Sequence, residues 1–153
     1  VSVAGANEAP AVRTPSIVVF DNASFVDTTS GSSWAESDNV QVFLASRGFL
    51  PFGTTTSLDA AGWTAALAGR NTLLIPELEN GDLASALDES AEGVIADWVA
   101  DGGRLIVFGA GFAEVNLLNS VFDFSLIHSF LGESSIRTVA VVGTELSDNA
   151  LSI

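Results

Sequence analysis

Glu77, Glu79 and Asp82 stand close together in the segment NTLLIPELENGD, residues 71–82, just beyond an apolar run that ends at Pro76. Carboxylates gathered like this can do two kinds of chemistry. They can ligate a hard cation such as Ca2+, which takes six to eight oxygen ligands. Alternatively, two of them can flank a glycosidic bond as acid and base. A further acid, Asp21, follows a second apolar run, SIVVF at residues 16–20. If the two runs are neighbouring strands, Asp21, Glu77, Glu79 and Asp82 form the expected cation set, and Asn22, Ser24 and Asn80 add neutral oxygens. The spacing Glu-x-Glu-Asn-Gly-Asp is not that of an EF-hand loop. The competing reading makes Asp82 a helix cap, Asn80-Gly81 a turn and the glutamates solvated surface. Convergence without a cation would raise at least one carboxyl pKa through mutual repulsion.

The elements that must position these groups alternate between apolar runs and helical periods. Residues 1–15 contain two prolines and no sustained period, which predicts a loose N-terminal segment. SIVVF is the first strand. The loop DNASFVDTTSGSS then runs for thirteen residues, long enough to suggest a use. Ser33 with Glu36 and Asp38 with Gln41 each make a capping-box spacing, so a helix starts at one or the other, with Val40, Phe43 and Leu44 as its buried face and Gly48 as its stop. Residues 49–52 read as a second strand. Ser57 caps a helix through Ala68, and residues 72–75 are a third strand. A helix with Val94, Ile95, Trp98 and Val99 on one side ends at Asp101-Gly102-Gly103. Residues 105–108 are a fourth strand, and a helix over 114–121 follows.

This βαβα alternation with near-continuous apolar strands predicts a mainly parallel sheet covered on both faces, a flavodoxin-like three-layer α/β/α fold. Right-handed crossovers favour strand order 2-1-3-4, so the loops after Phe20 and Ile75 flank one crevice at the switch point. A fifth strand is expected at residues 135–142 (SIRTVAVV). Residues 16–153 form one domain, and the absence of a terminating element at Ile153 leads us to expect part of a longer protein.

Composition narrows the function classes. Nineteen acidic residues face five basic ones, all arginine, for a net charge of -14. Arginines scattered singly do not make a phosphate-binding surface, so nucleic acid is not an expected partner. Cysteine is absent, which removes disulfides, thiolate metal sites and a cysteine nucleophile. A hydrophobic fraction of 48% and a mean hydropathy of +0.43 lie at the apolar end for a soluble domain. No run approaches the roughly 18 apolar residues of a membrane span, so no membrane insertion is expected. The surplus near VFDFSLIHSFL (residues 121–131) fits either core or an interface. Acidic, cysteine-free composition rich in Ser, Thr, Gly and Asn is common in bacterial secreted and surface proteins, and an extracellular or cell-surface location is expected. His128, the lone histidine, reads as structural, since no G-x-S-x-G elbow accompanies it. Trp34 and Trp63, near helix starts, are read as packing residues before sugar-stacking ones.

Two pieces between Thr72 and Leu118, LLIPELENGD and IADWVADGGRLIVFGAG, resemble the class I glutamine amidotransferase-like superfamily, including its trehalose-utilisation (ThuA-like) branch. The resemblance implies a ligand loop after the third strand and a nucleophile elbow at Gly109 or Ala110. With no thiol in the chain the elbow is chemically empty, so what is implied is a degenerate member whose Gly109 and Ala110 line a ligand site. The expected function is thus a non-catalytic extracellular binding or assembly module, binding Ca2+ at the carboxyl edge of the sheet. It would self-associate or contact neighbouring domains, with no nucleotide cofactor. The alternative is a carboxylate-dependent hydrolase acting on sugars.

Overall fold

The computed structural model describes residues 15–109 and 111–128. The expected fifth strand, Ala110 and residues 1–14 lie outside the described residues. The elements are β1 (Ile17–Phe20), α1 (Glu36–Ser46), β2 (Gly53–Thr55), α2 (Ala60–Leu67), β3 (Thr72–Ile75), a 3-10 turn (Ala84–Ala86), α3 (Glu89–Ala100), β4 (Arg104–Val107) and α4 (Phe112–Phe122). The four strands form one parallel sheet in the order β2-β1-β3-β4. This is the expected flavodoxin-like three-layer arrangement, with helices on both faces.

Alternation along the strands divides the core in two. Val18, Phe20, Leu73 and Ile75 face a large cluster with Trp63 and Leu67 of α2, Ile95 of α3, and Leu117 and Val121 of α4. Ile17, Val19 and Leu74 face the other way, onto Leu44, Val40 and Phe52. Three helices thus cover one face, and α1 covers the other.

Several local expectations are corrected. The second strand is Gly53–Thr55, not residues 49–52. Pro51 has no N–H to give a ladder, and Phe49 and Leu50 are exposed. Pairing passes instead to the β-branched Thr54 and Thr55, which register with Val19 and Phe20. Asp59, not Ser57, caps α2, accepting from the Gly62 N–H at 2.7 Å. Neither Ser33 nor Asp38 caps α1, whose N-cap Ala35 makes no side-chain bond. Phe43, expected on the buried face of α1, is exposed. β4 is not buried on both faces: Arg104 and Ile106 are exposed, and Leu105 and Val107 only half-buried. Trp63 is fully buried core, which rules out a sugar-stacking role, whereas Trp34 is exposed.

Helix α3 shows how a local device fixes an element. Asp88 accepts from the Ala91 N–H at 2.8 Å, which satisfies one of the free donors of the first turn and opposes the helix dipole. Asp88→Ala is expected to cost about 1 kcal/mol, lowering the melting temperature by roughly 3 °C for a domain of this size. A thermal melt followed by circular dichroism checks this.

Candidate carboxylate site at the sheet edge

In a parallel sheet, every loop that leaves a strand and every helix that begins after one gathers at the carboxyl edge. The loops after β1 and β3 are joined there. The Asn80 N–H donates to the Phe25 carbonyl at 3.0 Å, and the Asn80 side chain donates to the Ala23 carbonyl at 3.3 Å. Asn22 donates from Nδ2 to the Thr56 carbonyl at 2.9 Å, and its Oδ1 accepts from the Ser24 N–H at 3.0 Å. Asn22, Ser24 and Asn80 therefore build the walls of the crevice with the polar groups named, binding loop to loop.

The four acids of the expected cation set part company. Asp21 Oδ1 accepts from the Ser37 hydroxyl at 2.7 Å, tying the end of β1 to the first turn of α1. Asp82 accepts from the Ala84 N–H at 3.1 Å, at the start of the 3-10 turn, and from Asn116 Nδ2 at 3.0 Å. Glu77 and Glu79 come together with a third carboxylate, Glu36 of α1, and one ligand oxygen from each lies within 4.8 Å of the others. Oxygens held 2.3–2.6 Å from a common calcium ion lie at most about 5 Å apart, so the spacing suits such an ion.

The electrostatics are unfavourable for three bare anions. Burial is the main cause that pushes the Glu77 carboxyl above its ordinary value, and the carboxylates of Glu79, Glu114 and Glu36 push it further. Glu36 Oε2 is buried with no hydrogen-bond partner among the described residues. A buried, ionised oxygen without a donor is costly unless a cation or proton balances it.

Glu114 completes the arrangement from beneath. It is only 4% exposed and accepts from the Leu78 N–H at 2.7 Å, holding the loop between Glu77 and Glu79 against α4. Gly109 sits beside it with φ +101°, and a Cβ there would stand 2.8 Å from Glu114 Oε1 and 3.1 Å from Glu77 Cγ. The glycine turn after β4 thus gives the two glutamates room to approach the backbone. Ala110 lies outside the described residues.

Glu36 and Glu114 were not read from the sequence as site residues, yet each carries a signal. Both belong to the first turn of a helix that follows a strand, the position that stands at the carboxyl edge. Glu114 also shares the helix face of Leu117 and Val121, where a charge is out of place unless it has a partner. His128 packs its ring on Phe112, with centroids 4.1 Å apart, at the start of α4.

No family model, curated protein or solved structure matches this chain.

Proposed function

We propose that this is a non-catalytic, extracellular binding and assembly module on an amidotransferase-like fold, which takes a divalent cation, Ca2+, at the sheet edge through Glu36, Glu77 and Glu79. The observation that carries the reading is the convergence of three carboxylates from two separate elements within 4.8 Å. Supporting it are the unpartnered, buried Oε2 of Glu36 and the carboxylates that surround Glu77. Water molecules would complete a shell of six to eight oxygens. The extracellular setting rests on the acidic, cysteine-free composition, and assembly with further copies or neighbouring domains rests on the apolar surplus.

Thermal melts with calcium and with chelator test this at matched ionic strength. An ion at one hundred times its Kd stabilises by about 2.7 kcal/mol, so a rise of roughly 5 °C or more is expected. Glu77→Gln removes the increment, while Asp97→Asn, on the exposed side of α3, keeps it. Absence of any shift at millimolar calcium overturns the reading.

The pH dependence has a definite sign. A carboxyl whose folded pKa is raised holds its proton longer in the folded state than in the unfolded one. Its contribution is therefore full below the ordinary carboxyl pKa and is lost as pH rises through the raised value. In chelator, wild-type stability is expected to fall across that window by more than that of Glu77→Gln. Calcium reverses the trend, since the ion favours the ionised form. Denaturant midpoints between pH 4 and 7 read both effects.

A second reading, hydrolysis of a sugar by a carboxylate pair, is favoured by the raised pKa of Glu77 beside Glu79, a trait of general acids. It predicts glycoside turnover that Glu77→Gln abolishes.

A further inference from the structure

Among the described residues, the sheet face opposite α2, α3 and α4 is open on its β4 side. An apolar groove of about 550 Å3 lies there, lined among others by Ile17, Phe43, Leu44, Leu74, Ile106 and Phe108. Ile106 pairs in register with buried Leu74, yet it is 43% exposed, with Phe108 at 42% and Phe43 at 54%. A contiguous apolar surface of this kind marks a place where something docks.

We propose that the groove is the docking site of residues 135–153 of the same chain. The path of the backbone favours this occupant. α4 packs on the same face as α2 and α3, so a right-handed crossover from β4 through α4 carries the chain to the outer side of β4. Among the described residues that side of β4 has no strand partner. After α4 the chain doubles back. Asn119 donates from Nδ2 to the Leu126 carbonyl at 3.0 Å and accepts from the Leu126 N–H at 2.8 Å. The ring contact of His128 with Phe112 then returns the chain to the end of α4 that adjoins β4. Phe108, beside that end, lines the groove.

Reach and composition agree with this path. Residues 129–134 can span up to about 20 Å, enough for the two spacings of roughly 10 Å each that separate the α4 layer from the far face of the sheet. Residues 135–153 carry Ile136, Val139, Val141, Val142, Leu146 and Leu151, with only Arg137, Glu145 and Asp148 charged. A second copy is a poorer occupant, because a short tether holds this segment near the groove at an effective concentration on the order of millimolar, whatever the protein concentration.

Trypsin tests the assignment on the full chain. The chain has no lysine, and Arg137 is the one arginine in residues 135–153. Cleavage after Arg137 is expected to be at least ten-fold slower than in an isolated peptide spanning residues 130–145, and independent of protein concentration. The double variant Phe43→Ser and Ile106→Ser alters two exposed side chains, and it should bring cleavage back toward the peptide rate. Slow cleavage at Arg70 and an unchanged circular dichroism spectrum report that the fold persists. If that pair unfolds the protein, Phe49→Ser with Phe108→Ser carries the same expectation. Peptide-like cleavage in the wild type overturns the proposal, as does protection that the groove variants leave intact. Protection that grows with protein concentration overturns it in favour of a second copy.

Discussion

Trp63→Ala is expected to destabilise the protein by about 3–5 kcal/mol, the usual cost of emptying a large aromatic site in a core. Trp63 is fully buried and stacks on Phe20 with centroids 5.7 Å apart and planes 19° from parallel. It joins α2 to the middle of the sheet, so the cavity would open where three helices meet β1 and β3. Set against a typical stability of 5–15 kcal/mol, such a loss brings the domain near the threshold of folding. Trp63→Phe should behave differently. The indole Nε1 of Trp63 is buried without a hydrogen-bond partner among the described residues, and an unmade bond of that kind costs about 1–3 kcal/mol. Phenylalanine keeps most of the ring and removes the donor, so the net cost should stay below about 1.5 kcal/mol. Urea unfolding followed by circular dichroism measures both. An alanine variant within 1 kcal/mol of wild type would contradict the packing described.

Gly109→Ala is the second large effect, and it links the fold to the site. A φ of +101° is open to glycine and costs other residues about 1–3 kcal/mol. The added methyl would also stand 2.8 Å from Glu114 Oε1, forcing away the carboxylate that accepts the Leu78 N–H. Losing that buried bond adds about 1–3 kcal/mol, so a total of roughly 3–5 kcal/mol is expected. Gly69→Ala is the control. Gly69 also has a positive φ, of +68°, but no described residue lies within 4 Å of its Cβ position, so only the backbone part should appear. Where Gly109→Ala still folds, the calcium increment in melting temperature should disappear with the displacement of Glu77. Equal losses in the two variants would contradict the role given to Glu114.

The sheet was legible because its signal is local. Four short extended segments separated by helical periods, with right-handed crossovers, leave few strand orders open, and 2-1-3-4 is the order found. The exceptions have physical causes. β2 is an edge strand held by backbone pairing, so its threonines need no apolar run, while the more apolar residues 49–52 led to a misplaced strand. β4 has the apolar residues of a doubly covered strand, but among the described residues its outer face borders a groove.

The site was legible in part for the same reason. Glu77 and Glu79 follow a buried strand directly, and their position at the sheet edge comes from chain order. What draws Asp21 and Asp82 elsewhere is long-range. Their donors, Ser37 and Asn116, lie on helices that only the fold brings near. Glu36 joins the two glutamates across the length of β2, α2 and β3 in sequence, and Glu114 arrives from the far side of α3 and β4. A first-turn acid on a helix that follows a parallel strand is the sequence signal that would have brought both into consideration.

Whether the three converging glutamates hold one divalent ion is decided by calorimetric titration of chelator-treated protein with calcium. Saturable binding of one ion per chain is expected, lost in the double variant Glu36→Gln and Glu77→Gln and kept in Asp82→Asn. No saturable binding at millimolar calcium would contradict the cation site, as would binding that survives the double variant unchanged.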